Sequence, residues 1–298
     1  MEIRVLRYFL AVAREGSITA AANTLHLTQP TLSRQLQDLE KELGQKLLVR
    51  GKYKVSLTPE GMILRKRAEE IVDMVEKTES EFQSIKDIVS GDIYIGCGET
   101  DSMKYVANVM KELQDEYPDI KFHIYSGNAE DVTEKLDKGL LDFGVLIQPI
   151  DLSKYDNLPL PDKDVWGVIA KKDSPLAQKD KVTLKDLVNV PLIASRQMSK
   201  KYSSQSGFLD WFGKEFEHLN IAATYNLVYN AAIMVNAGIG YAVTLDKLVN
   251  TSDITNLCFI PLSPRLESGL DIVWKKHQVF SPAAKIFLDR LQKKFGTV

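Results

Sequence analysis

Two cysteines in 298 residues, Cys97 and Cys258, with no Cys-x-x-Cys pair and no His/Cys cluster, exclude a disulfide framework and a structural zinc site. Such sparing use of cysteine fits a reducing compartment. No apolar run reaches the roughly 18 to 20 residues that a membrane span needs. The first sixteen residues are interrupted by charge every few positions, and no small-residue cleavage site follows them. The expected location is therefore the cytoplasm, with no membrane contact. Gly-x-Ser-x-Gly, His-Glu-x-x-His, Walker and Gly-x-Gly-x-x-Gly elements are all missing, and the four histidines stand apart. No enzyme, catalytic set, metal site or cofactor is expected. The formal net charge of −2 gives no overall attraction to polyanions.

What the chain does have is an uneven distribution of that charge. Residues 1–60 carry nine Lys/Arg against six Asp/Glu, whereas residues 91–298 carry 24 against 27. The basic excess sits at the front, on a chain whose length and 44% apolar content suit two or three domains. Val5, Leu6, Phe9, Leu10, Val12 and Ala13 recur at helical spacing, and Gly16 ends that helix. Ser17 reads as the N-cap of a second helix, from Ile18 to about Asn23, whose alanines at 20, 21 and 22 admit a close helix crossing. Thr28 reads as the N-cap of a third, with Pro30 in its first turn. Leu32, Leu36, Leu39 and Leu43 form its buried stripe, and Gln29, Thr31, Ser33, Arg34, Gln35 and Asp38 lie opposite. A helix-turn-helix of this kind puts small hydrogen-bonding side chains and helix N-terminal amides against base edges and phosphates. Next, Leu47-Leu48-Val49 and Val55-Ser56-Leu57 flank Arg50-Gly51-Lys52-Tyr53-Lys54, a β-hairpin wing with cations at its tip for the phosphate backbone.

The run through Phe9, Ala11, Gly16, Ser17, Ala20, Ala21, Ala22, Leu25, Gln29, Pro30, Ser33, Leu39, Glu40, Leu43, Gly44, Leu57, Thr58 and Gly61 resembles the winged helix-turn-helix of LysR-type transcriptional regulators. Two departures concern the wing: Leu47-Leu48 where the family usually has Leu-Phe, and Gly-Lys-Tyr-Lys where Thr/Arg-rich forms are commoner. The resemblance implies double-stranded DNA with a pseudo-palindromic operator as partner. The candidate DNA contacts are Ser17, Thr28, Gln29, Pro30, Thr31, Ser33, Arg34, Gln35, Arg50, Lys52 and Lys54.

Thr58-Pro59-Glu60 opens a further helix, on which Leu64, Ala68, Ile71, Val75, Thr78, Phe82, Ile85 and Val89 alternate at spacings of four and three. About 30 residues at roughly 1.5 Å rise give some 45 Å, longer than one domain of this size covers. A second copy of the chain is the simplest partner for that seam, an amphipathic helix lying on its own C-terminal domain the alternative. Leu64, Ala68, Ile71, Val75, Phe82 and Ile85 are the candidate dimerisation residues. The family resemblance implies a homodimer, commonly a homotetramer, with RNA polymerase as a further partner.

Beyond Gly91, strand-like pairs (Ile93, Ile95; Ile120, Phe122, Ile124; Phe143, Val145, Ile147) alternate with helical stretches at 102–116 and 129–138, which predicts a mainly parallel sheet. A second group runs through Val165–Ile169, Leu192-Ile193, Tyr225–Val228 and Gly240–Val243, followed by Leu270–Trp274 and an amphipathic helix over 281–295. The stretches 91–96, 174–177 and 235–240 are similar to stations of the LysR effector domain, with Asp246 near the place where relatives often have proline. The expected class is α/β: a winged helix-turn-helix (1–58), a linker helix (59–90), and an effector domain of type 2 periplasmic-binding-protein fold (91–298). Its lobe I would span 91–161 and 267–298, its lobe II 162–266. A small-molecule effector is expected in the cleft, held by Thr100, Asp101, Ser102, Ser126, Gly127, Asn128, Gln148, Ser195, Arg196, Gln197 and Asn226. Arg196 is the first choice of partner for an anion. Two other readings stay open: a constitutive DNA-binding dimer whose C-terminal part only assembles it, and a thiol-based regulator using Cys97.

Overall fold

The computed structural model describes residues 1–51, 54–83, 90–196 and 211–296. The chain divides into two compact units, Met1–Gln83 and Ser84–Val298, each with its own core. Lys52, Gln197, Ile85 and the side chain of Phe82 lie outside the described residues. Among the described residues no helix is long and apolar enough to cross a membrane.

In the first unit, α1 (Ile3–Glu15) stops at Gly16, whose φ of 61° is the left-handed conformation that a helix end favours and most side chains resist. Ser17 then caps α2 (Ile18–Thr24), its Oγ accepting from the Ala20 amide at 3.3 Å. Ala21 and Ala22 are fully buried, so α2 approaches its neighbours closely. Thr28 caps α3 (Gln29–Leu43), which lays Leu32, Leu36 and Leu39 on Phe9 and Val12 of α1 in one core. The strands β1 (Leu48–Arg50) and β2 (Val55–Leu57) pair antiparallel, Leu48 opposite Leu57 and Arg50 opposite Val55. The amide of Val55 donates to Gly16 O at 2.8 Å and ties this hairpin to the α1–α2 turn. The unit ends in α4 (Pro59–Gln83).

The second unit holds two sheets. One has the order β4-β3-β5-β14-β6, from β3 (Gly91–Cys97), β4 (Ile120–Ser126), β5 (Phe143–Ile147), β6 (Tyr155–Pro159) and β14 (Leu270–Lys275). The other has the order β10-β9-β11-β7-β12-β8, with β13 (Glu267–Ser268) pairing β7. Its strands are β7 (Asp164–Lys171), β8 (Val182–Thr183), β9 (Leu192–Ser195), β10 (Ile221–Tyr225), β11 (Tyr241–Leu245) and β12 (Leu257–Ser263). Among the described residues its α-helices are α5 (Met103–Glu116), α6 (Ala129–Asp137), α7 (Leu184–Leu187), α8 (Val228–Asn236) and α9 (Pro282–Phe295).

The sheets are mixed, not mainly parallel. β3 runs parallel to β4 and β5, but β14 is antiparallel to both β5 and β6, and β7 is antiparallel to β11 and β12. The cause is the chain's path: it leaves the first sheet after β6 and returns with β14, so each crossing strand enters its sheet from the other lobe. The stretch expected as a strand over Tyr225–Val228 is instead the end of β10 followed at Val228 by α8, because Tyr225 alone keeps the extended register before the turn. Just past α8, Gly238 takes the left-handed conformation at φ 83°, and Gly240 lies so close to the Pro191 carbonyl that a Cβ has no room.

Asp186 reaches back to the start of the short α7: the Thr183 amide and hydroxyl both donate to its Oδ2, at 2.8 and 2.7 Å, and Lys179 donates to Oδ1 at 2.8 Å. Lys179 first, then Thr183, hold the Asp186 carboxyl down to about 2. A carboxyl depressed by folding stabilises the fold above its ordinary value of 3.8 and ceases to do so as pH falls through the folded value. Asp186→Asn is expected to lower stability at neutral pH by about 1 kcal/mol, with the gap to the parent narrowing below about pH 4, as read by urea unfolding across pH.

Candidate nucleic-acid interface and ligand cleft

The outward side of α3 follows from its leucine stripe. With Leu32, Leu36 and Leu39 buried, Gln29, Pro30, Thr31 and Arg34 stand exposed, and Ser33 and Gln35 half-buried beside them. Thr28 Oγ1 accepts from the Thr31 amide at 3.4 Å and lies 2.8 Å from the Thr31 hydroxyl, so both side chains stiffen the first turn. Arg34 leans toward Asp38 at 4.0 Å. Lys54 is exposed next to Gly16, and Arg50 donates through Nη1 to Ser33 Oγ at 3.2 Å, linking hairpin to helix. Ser17 is engaged as the α2 cap. Basic and amide-bearing groups thus share one end of the unit, the arrangement that suits a phosphate backbone with bases between.

The dimerisation seam expected on α4 divides in two. Ala68 is fully buried and Leu64 packs beside it in the core of their own unit, together with Val72. A helical row at i, i+4 and i+8 covers whichever surface is nearest, and here that surface is α1. Ile71 is 36% exposed and Val75 half-buried, while Met62 and Ile63 are open to solvent. Leu64 and Ala68 are therefore core residues of the winged unit rather than part of an open seam.

In the second unit, the loops at one end of both sheets line a half-open cleft. Of the expected effector contacts, Gly127, Asn128, Ser195, Arg196 and Asn226 line it. Thr100 and Ser102 do not: both are buried and donate their hydroxyls to Asp164, Ser102 at 3.1 Å. Asp101 is paired with Lys104 at 2.8 Å and Lys247 at 3.5 Å, and Gln148 donates to Asp271 at 2.6 Å. Ser126 is exposed at the end of β4, away from the wall. The loop after β3 turns its hydroxyls under the cleft instead of into it, because an acceptor waits there at the start of β7.

Sequence reading passed over most of the wall. Ile147, Trp166, Leu227, Val228, Leu245 and Leu248 make it largely apolar, and Tyr225 joins them with its hydroxyl turned away to Val243 O at 2.8 Å. Burial pushes the Tyr225 phenol up to about 12, so it stays protonated. Strand ends such as Ile147 and Leu245 were readable as apolar termini; nothing marked Leu248. Glu99 also lines the cavity, and its carboxylate accepts from the Val228 amide at the start of α8, where the α8 N-cap Leu227 supplies no side-chain acceptor.

The Asp164 carboxyl is raised above its ordinary value, burial outweighing the hydroxyls of Thr100 and Ser102. Burial, helped by the nearby Glu99 charge, likewise raises the Cys97 thiol. A thiol kept protonated is a poor nucleophile. Cys97 is expected to react with iodoacetamide at pH 7.5 more than about tenfold slower in the native protein than in urea; equal rates by mass spectrometry would restore the thiol-sensing reading. Among the described residues no group of His, Cys, Asp and Glu side chains could hold a metal ion.

Known proteins share this whole layout. The family model described as "Bacterial regulatory helix-turn-helix protein, lysR family" matches residues 3–62, and that described as "LysR substrate binding domain" matches 86–296. The Hca operon transcriptional activator HcaR of Escherichia coli is 30% identical over 305 residues, covering 100% of this chain and 99% of its own. The crystal structure of CbnR, a LysR family transcriptional regulator, superposes with a TM-score of 0.73 at 19% identity over the full length of both chains. Full-length CbnR complexed with its target DNA gives 0.71 at 20% identity, covering 98% of this chain and 99% of that one. With both of its units matched in order, the chain belongs to the LysR family of DNA-binding transcriptional regulators and carries that family's effector-binding domain.

Proposed function

We propose that α3 enters the major groove with Gln29 and Arg34 on base edges. Thr28, Pro30, Thr31, Ser33, Gln35 and Ser17 lie at or beside the flanking phosphates, and Arg50, Lys52 and Lys54 ride on the backbone. The observation that carries this reading is the exposure of Gln29, Thr31 and Arg34 on the first turns of a helix whose other face is buried leucine. A homodimer joined through residues 59–90, with Ile71, Val75, Phe82 and Ile85 toward the second copy, presents two such helices to a pseudo-palindromic operator. Pairing of dimers gives the tetramer, and RNA polymerase is the downstream partner. The protein acts in the cytoplasm, as a regulator without catalysis or a cofactor.

The effector sits in the cavity of the second unit. Its apolar part packs on Trp166, Leu227 and Leu248, and its polar part meets Asn128, Asn226, Ser195 and Arg196. Because Glu99 already supplies a carboxylate to the first amide of α8, an anionic group on the ligand goes to Arg196. Occupying the cleft shifts the balance between arrangements of the two lobes, and through it the spacing of the paired DNA-binding domains.

Two experiments test these assignments. Gln29→Ala and Arg34→Ala are expected to relax sequence preference, whereas Lys54→Ala weakens all DNA about equally and lowers the salt slope by about 1; parallel losses for all three in salt-dependent binding assays contradict that division. A thermal-shift screen of the full-length protein against small carboxylates, amino acids and aromatic acids is expected to give hits that vanish in Arg196→Ala and Asn226→Ala. A ligand at about 100 times its Kd stabilises by about 2.7 kcal/mol. A hit indifferent to both substitutions puts the ligand elsewhere, and a ligand that leaves DNA binding unchanged favours the constitutive reading.

A further inference from the structure

Glu40 is a charged residue on the buried side of α3, only 5% exposed, and no base or phosphate contact proposed above uses it. A carboxylate inside a small domain is costly unless it is fully partnered. Its two oxygens divide the partners between them. Oε1 accepts from the amides of Leu47 and Leu48, at 2.9 and 3.2 Å, the residues by which the chain enters β1. Oε2 lies 3.5 Å from Lys46 Nζ and 3.9 Å from Arg50 Nη2. Burial pushes the carboxyl up, but the two amides and Lys46 outweigh it and hold it below its ordinary value, so it is ionised at neutral pH.

Arg50 closes the connection. It is the last residue of β1, and while Nη2 faces Glu40, Nη1 donates to Ser33 Oγ on the outward side of α3. A surface arginine ordinarily surrenders much rotamer freedom when it meets a phosphate. This one is already confined between a carboxylate and a hydroxyl, with its side chain 35% exposed.

We infer that Glu40 is a positioning residue for DNA readout, anchoring the wing strand by its backbone and holding the Arg50 guanidinium against Ser33, in register with the base-reading turns of α3. The inference rests on the reading that α3 and the wing are the DNA-contacting face. It separates two effects of one charge. A carboxylate near DNA opposes phosphate binding in general, yet here it orders a cation that fits only when the helix is seated in its groove. Removing the charge therefore favours binding to arbitrary DNA and disfavours binding to the preferred sequence.

The test uses full-length protein and two probes: the best duplex enriched from a random-sequence library by the parent protein, and the unselected library itself. Glu40→Gln keeps the side-chain volume and an oxygen for the amides of Leu47 and Leu48 but not the charge. Library binding is expected to be unchanged or a few-fold tighter, and the selected duplex weaker, so that the ratio of the two falls about tenfold. In an Arg50→Ala background the same change moves the ratio less than about twofold. Ser33→Ala, which leaves the buried carboxylate in place, decides the matter should Glu40→Gln fail to fold: it is expected to lower the ratio in the parent and to move it less than about twofold in the Arg50→Ala background, where a direct phosphate contact of Ser33 would keep its full effect. An unchanged ratio in the folded variants, parallel loss on both probes, or an undiminished effect of Glu40→Gln without Arg50 overturns the inference alone. Failure of the parent protein to enrich any sequence overturns the DNA-reading assignment and this inference together.

Discussion

Asp164 is buried where the chain first enters its second sheet, and the hydroxyls that satisfy it, from Thr100 and Ser102, belong to the loop after the first strand of the other sheet. A buried carboxyl with partners on one side only would be expensive, so the loop and the start of β7 are constrained to meet. That meeting sets the floor of the cleft. It fixes Gly98 and Glu99 above it, brings Glu99 to the first amide of α8, and leaves Trp166, two residues into β7, facing the cavity. The apolar wall and the few polar groups around it are consequences of one shared carboxyl at the crossing.

The winged unit is governed by a different economy, in which one helix serves two environments. The leucines of α3 and Phe9 make a core small enough that each helix end needs its own cap: Ser17, Thr28 and Gly16 supply them. The same caps leave the opening turns of α3 rigid and outward, so the residues available to DNA are held by local hydrogen bonds rather than by bulk packing. Leu64, Ala68 and Val72 extend that core onto α4, which makes the first half of the long helix part of the DNA-binding unit.

Legibility in the sequence tracked the range of the forces involved. Helix ends and apolar periods are local, so the stretches expected at 102–116, 129–138 and 281–295 match α5, α6 and α9 to within a residue, and Gly16 and Thr28 mark the end of α1 and the start of α3. Strand direction is not local. Leu270–Trp274 reads as a strand from its composition, but only the crossing of the chain reveals that it runs against β5. The cleft shows the same limit: Asn128 and Asn226 sit at strand–helix junctions and were readable, whereas Thr100 and Ser102 have the right chemistry and the wrong partner, because Asp164 lies more than sixty residues away. Periodicity on α4 marks an apolar row without saying which surface it meets: Leu64 and Ala68 turn to the core of their own unit, whereas Ile71 is exposed.

The path of β14 has a consequence for the order in which the protein takes shape. This strand lies in the middle of its sheet, between β5 and β6, yet it is made more than a hundred residues after them. Trp274 on this strand, and Phe287 and Leu291 on the helix after it, share the first lobe's core with Ile93, Phe143 and Leu158. During synthesis β5 and β6 must wait with unpaired edges while the entire second sheet emerges from the ribosome, and pairings so distant in sequence close slowly. The second lobe, contiguous in the chain, is the part able to fold first, and the first lobe is sealed only by the last strand and helix to appear.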